Sequence, residues 1–117
     1  MIRIASKQAK KSTHRYRLGA VIVKGGRVLS TGYNEIRYSK ELQKGSIHAE
    51  EAAILKLLKA KRLSDLAGSD LYVSRICASG RLGLSRPCSK CMGLIQSVGI
   101  SKVFYSNDEG GVSRLSL

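Results

Sequence analysis

Two short motifs constrain this chain more than any other feature: His48-Ala49-Glu50 and, further along, Pro87-Cys88-Ser89-Lys90-Cys91. Between them they offer one imidazole and two thiols, a donor set suited to zinc, and one carboxylate that need not bind it. Three protein ligands leave a fourth position on zinc open for water, which marks a catalytic rather than a structural metal. A fold that uses the motifs in this way must bring two distant helix starts to one point. Cysteines at i and i+3 at a helix start put both sulfurs on one face, and the positive end of the helix dipole favours thiolates. Pro87, the one proline of the chain, fits just ahead of or at the first helical position, where its missing N–H costs nothing.

Each element also has a plainer reading. C-x-x-C alone describes a redox pair or half of a structural zinc knuckle. A knuckle needs two further Cys or His, and only Cys77 and His14 remain. Cys77 reads as a small buried or loop residue, His14 as a solvated one. His48 alone would be an ordinary surface or core histidine. Its position two residues before Glu50 at a helix start lets both side chains face one cavity. Glu50 also complements the helix dipole, and Glu51 beside it is assigned that role alone.

The rest of the chain supplies a frame for this convergence. Residues 2–13 predict a short basic helix with Ile2, Ala5 and Ala9 as its apolar stripe. The apolar run from Leu18 to Val23 predicts a buried strand. Lys24-Gly25-Gly26-Arg27 predicts a tight turn, and Val28 to Tyr33 the return strand. Residues 34–46 read as a polar loop. A helix is expected from Ser46, as N-cap, to about Lys61, with Ile47, Ile54, Leu55 and Leu58 on its buried face. Leu71 to Ile76 predicts a strand, Ser89 to Val98 a helix stopped by Gly99, and Lys102 to Ser106 another strand. After the turn at 107–111, Val112 to Leu117 is a short final strand. The order β-β-α-β-α-β-(β) predicts an α/β fold, parallel around the helices and antiparallel at the opening hairpin.

A chain of 117 residues is expected to form one domain, 1–117, able to bury a core without disulfides. No membrane-spanning run and no secretory signal are read, and three cysteines suit a reducing, cytoplasmic compartment. The net charge of +13, from 21 Lys and Arg against 8 Asp and Glu, attracts phosphates. These phosphates belong to a nucleotide or a polynucleotide, unless the charge serves solubility alone.

The H-x-E…P-C-x-x-C arrangement, with LGAVIVKGGRVLSTGYN, HAEEAAI, LYVSRI, RPCSKC and KVFYS in that order, resembles the cytidine and deoxycytidylate deaminase superfamily over Leu18 to Ser106. Its relatives include tRNA adenosine deaminases and polynucleotide cytidine deaminases. The resemblance implies a three-layer α/β/α fold with a mixed four- or five-stranded sheet. It implies Zn²⁺ held by His48, Cys88 and Cys91, Glu50 as proton shuttle, and substrate contacts from Asn34 and the Ala49 backbone. Asn34 reads equally as a strand-end turn residue. The implied reaction is hydrolytic deamination of cytosine to uracil in a cytidine-type nucleotide such as dCMP. The alternative is cytosine, or adenine, in single-stranded DNA or RNA. Few aromatics, one Phe and five Tyr without Trp, favour the small substrate.

Two departures from the family pattern stand out. The segment Cys77 to Arg86 intervenes between strand and Pro-Cys, and its Ser79-Gly80 turn predicts a hairpin or flap. Arg81 and Arg86 in it are candidates for a phosphate clamp or are solvated loop charges. Only 11 residues follow Ser106, room for one antiparallel strand but not for a helix as well. The lightly covered edge, like the habit of several family members, predicts a homo-oligomer.

Overall fold

The computed structural model describes residues 1–13, 16–37 and 45–117. Its elements are α1 (Ile2–Ala9), β1 (Arg17–Lys24), β2 (Arg27–Tyr33), β3 (Glu35–Arg37), β4 (Gly45–Ile47), α2 (Ala49–Lys59), α3 (Leu63–Leu66), β5 (Asp70–Ile76), β6 (Leu82–Gly83), α4 (Ser89–Ser97), β7 (Lys102–Ser106) and β8 (Val112–Ser116). The main sheet runs β2-β1-β5-β7-β8, with β6 attached to β5. Gly25 and Gly26, both at positive φ (58° and 76°), close the β1–β2 hairpin in a conformation other residues resist. β1 pairs antiparallel with β2 and with β5, so β2 and β5 share a direction. β5 and β7 are parallel across α4, and β8 returns antiparallel. The mixed sheet is thus the expected one, enlarged by the two-residue β6.

The strand alternation sorts side chains into two layers. Ala20, Ile22, Leu71, Val73 and Val103 face α2 and α4, meeting Ala53, Ile54, Leu57 and Ile95 in the larger core. Val21 and Val23 face the other way and bury Ala5 of α1. Helices therefore cover both sides of the sheet.

Several expected boundaries shift. The segment 34–46 is not all loop: β3 and β4 pair antiparallel, Ile36 opposite Ser46. Residues 38–44, like His14, lie outside the described residues. Ser46 is consequently a strand residue, and the N-cap of α2 is His48. The buried face of α2 is also displaced. Ala49, Ala52, Ala53, Ile54 and Leu57 are buried, while Leu55 and Leu58 are only half-buried. Small residues dominate because α2 lies almost in contact with β2. A Cβ on Gly32 would sit 2.6 Å from the Ala49 carbonyl oxygen and 2.7 Å from the Ala53 nitrogen. Gly32→Ala is expected to cost about 1–3 kcal/mol, as overpacking usually does. Because the clash is with the first turn of α2, zinc affinity should fall with the melting temperature. Thermal unfolding and zinc titration of the variant check both.

The segment 77–86 forms the anticipated hairpin. Cys77 N–H donates to the Arg81 carbonyl, and β6 returns along Arg75 and Ile76. Buried serines fasten its return. Ser85 Oγ donates to the Val73 carbonyl at 2.9 Å, and Ser106 Oγ to the Gly83 carbonyl at 2.6 Å. Ser106 N–H donates to Ser85 Oγ at 2.8 Å. This network carries the chain to Pro87 and the start of α4.

Candidate metal centre

The N-termini of α2 and α4 converge. His48 caps α2 and Cys88 caps α4, both in extended backbone, so each side chain leaves its helix at the tip. Cys91 follows one turn into α4 and is buried. Glu51 secures the α2 tip by accepting the His48 backbone N–H at 3.3 Å, so it does more than complement the dipole. His48 Nδ1 lies 3.1 Å from Cys91 Sγ and 3.8 Å from Cys88 Sγ. The three ligand atoms fall within 4.8 Å of one another, and among the described residues they are the group able to hold a metal ion.

The two nitrogen–sulfur separations bracket the spacing that zinc requires. Tetrahedral bonds of ordinary length put a nitrogen and a sulfur ligand about 3.6 Å apart, and two sulfurs about 3.8 Å apart. The chemistry of the donors agrees. Burial pushes the Cys91 thiol well above its usual range, with the Glu50 charge adding to the rise. Such a thiol is a poor redox nucleophile, and a cation is what would hold it as thiolate. Cys77, the third cysteine, lies in the hairpin and outside this cluster.

Glu50 sits on the first turn of α2, 4 % exposed. Burial raises its pKa, and hydrogen bonding from the backbone and the nearness of His48 and Cys91 partly oppose the rise. The carboxyl therefore stands beside the three ligands without belonging to their cluster.

A cavity of about 250 Å³ opens onto these groups. Its deep wall holds Glu50, Ala49 and Asn34, all buried, beside His48 and Cys88. Leu18 and Tyr16 form an apolar side, and Arg86 an exposed cationic one. The hairpin thus delivers Arg86 to the cavity, whereas Arg81 lies exposed near the hairpin's turn and is not among the lining residues. Asn34 fills the strand-end reading and also lines the cavity. Its Oδ1 accepts the Leu18 N–H at 2.9 Å and its Nδ2 donates to the Tyr16 carbonyl, so it ties β1 to β2 while facing the cavity. Asparagine retains one further N–H and one lone pair for a ligand.

Tyr16 and Leu18 were not anticipated as lining residues. Arg75 reaches across from β5 to stand 4.8 Å from the Tyr16 ring centre, a cation–π contact. Only the antiparallel pairing of β1 with β5, Leu18 opposite Arg75, makes that contact visible.

Residues 1–107 match the model of the cytidine and deoxycytidylate deaminase zinc-binding region. The chain belongs to that family. An uncharacterized deaminase from the luxG 3' region of Aliivibrio fischeri is 37% identical over 102 residues, 74% of this chain and 56% of that protein. This family member therefore spans little more than half of that relative. A tRNA-specific adenosine deaminase of Aquifex aeolicus is 28% identical over 116 residues, 95% of this chain and 68% of the other. The crystal structure of dCMP deaminase from the cyanophage S-TIM5, in apo form, has a TM-score of 0.71 at 25% identity, covering 92% of this chain and 79% of that one. The family's zinc-binding region thus contains a His48–Cys88–Cys91 cluster able to hold Zn²⁺. No described helix is long and apolar enough to cross a membrane.

Proposed function

We propose that this chain, as a single domain, deaminates an amino-substituted nucleobase hydrolytically, with cytosine in a cytidine-type nucleotide such as dCMP as the substrate. The observation that carries the reading is a buried carboxylate beside a three-ligand cluster, at the bottom of a cavity of about 250 Å³. That size suits a small, largely enclosed ligand.

Zinc, held by His48, Cys88 and Cys91, supplies a Lewis acid that lowers the pKa of a water toward about 7. Glu50 takes a proton from the attacking water and passes it to the ring nitrogen beside the amino-bearing carbon. The new C–O bond forms, and Glu50 then takes the remaining proton of the added hydroxyl and delivers it to the departing amine. The C–N bond breaks and ammonia leaves, so one water is consumed for each base converted. Ala49 and Asn34 line the deep wall, where polar groups would face the base. Leu18 and the ring of Tyr16 offer the base an apolar side.

Arg86 at the exposed side is placed to meet a 5′-phosphate. Arg86→Ala is expected to raise KM for dCMP about tenfold, as loss of a hydrogen bond to a charged group does, and to leave KM for deoxycytidine nearly unchanged. Arg81→Ala should alter neither. Equal effects of Arg86→Ala on both substrates would remove the phosphate role.

The second reading is deamination within a polynucleotide. The net charge of +13 and the similarity to a tRNA-specific adenosine deaminase favour it. Ammonia release from dCMP, a cytosine-containing single strand and an adenine-containing RNA hairpin, assayed in parallel, separates the readings. Release from a strand alone would overturn the nucleotide substrate. In either case an intracellular, oligomeric enzyme is the proposed setting, tested by fractionation and sedimentation.

A further inference from the structure

We infer that the sheet face opposite the zinc cluster binds single-stranded nucleic acid through the ring pair Tyr72–Phe104 and the cations beside it. This surface is separate from the cavity, and the inference does not depend on the reaction proposed there. The register places Tyr72 opposite Phe104, and Phe104 opposite Arg114, in one row across β5, β7 and β8. Leu71, Val73, Val103, Tyr105 and Leu115 pack toward α2 and α4. By alternation the row Tyr72, Phe104 and Arg114 projects to the other side.

α1 packs chiefly on β1 and β5 of that side, with Tyr72 against the cluster that contains Ala5. Further along the row, Phe104 is half-buried and Arg114 exposed, and Val112, opposite Ser106, is exposed beside them. The rings of Tyr72 and Phe104 stack with centroids 4.5 Å apart and planes 10° from parallel. Lys102 occupies the next row, between Asp70 and Ser116; Asp70 is the acidic group of this patch. α1 adds the exposed Arg3 and Lys7, and its C-cap the exposed Lys10.

An aromatic surface among cations is matched by a chain that carries both phosphates and stackable rings. The small number of aromatics weighs less once two of them are stacked together, with Phe104 half-buried beyond the main contacts of α1. The charge also discriminates between occupants. A second copy would set Arg114 and Lys102 against their own equivalents on a chain of net charge +13, whereas an acidic polymer meets complementary charge.

The test is fluorescence anisotropy of a labelled oligothymidylate of about 12 nucleotides, within the usual site size of one small domain. Thymine has no exocyclic amine, so the probe is no substrate for the cavity, and ammonia release is scored separately. The zinc-loaded chain is expected to bind it with an affinity that falls steeply with salt. Phe104→Leu, which keeps the apolar fill but removes the ring, should weaken binding about fivefold or more. Arg114→Ala should lower the slope of log K against log salt by about 0.7. Saturating dCMP should leave binding unchanged. Absence of binding, indifference to both substitutions, or displacement by dCMP overturns the inference. A Phe104→Leu change that converts a dimer to a monomer overturns it in favour of a second copy.

Discussion

Glu50→Ala is expected to bind zinc as the parent chain does and to release ammonia at least about a hundredfold more slowly, since general acid–base catalysis contributes roughly 10²–10⁴. Zinc is retained because Glu50 is not one of the three clustered ligand atoms. Turnover is lost because the reaction needs one group to take both protons of the attacking water in turn, passing the first to the base and the second to the amine. Glu50 has the position for this, buried on the first turn of α2 beside His48. Glu51 is no substitute, being engaged with the His48 N–H. Glu50→Gln keeps the shape and removes the shuttle, so it should be equally slow. A Gln variant turning over at near the parent rate would withdraw the assignment.

Cys91→Ser is expected to abolish both zinc binding at stoichiometric concentration and ammonia release. Cys91 is 1% exposed and sits 3.1 Å from His48 Nδ1, so a serine there leaves two ligands around a buried gap. The loss should reach stability too. A ligand present at a thousand times its Kd stabilises the folded state by about 4 kcal/mol, and that increment disappears with the site. Zinc should therefore raise the melting temperature of the parent and of Cys77→Ser, but not of Cys91→Ser. Atomic absorption and thermal scans with and without zinc check this. Cys77→Ser behaving like Cys91→Ser would mean that the wrong pair of thiols has been assigned.

The metal-ligand cluster and the carboxylate beside it were legible because their spacing is local. Cys88 and Cys91 are one turn apart, and His48 and Glu50 share one helix tip. Val21-Ile22-Val23 and the Gly25-Gly26 turn announced the hairpin for the same reason. What escaped depends on partners distant in sequence. Ser46 has the chemistry of an N-cap, yet its backbone pairs with Ile36 and the helix begins two residues later. Leu55 and Leu58 looked like core, but Gly32 admits α2 so closely that alanines occupy the contact. Tyr16 lies in a basic stretch with no periodicity to mark it, and only the pairing of β1 with β5 brings Arg75 to its ring. Arg81 and Arg86 looked equivalent as charges on one loop. The β6 pairing and the serine network distinguish them, carrying Arg86 to the cavity and leaving Arg81 near the hairpin's turn.

The most direct test measures zinc content and ammonia release on the same sample, with dCMP as substrate, before chelation, after chelation and after zinc is restored. The account predicts one zinc per chain, release that vanishes with the metal, and recovery when the metal returns. A chain that carries its zinc and releases no ammonia from dCMP or from any amino-bearing base, or that releases it equally without metal, would contradict the account.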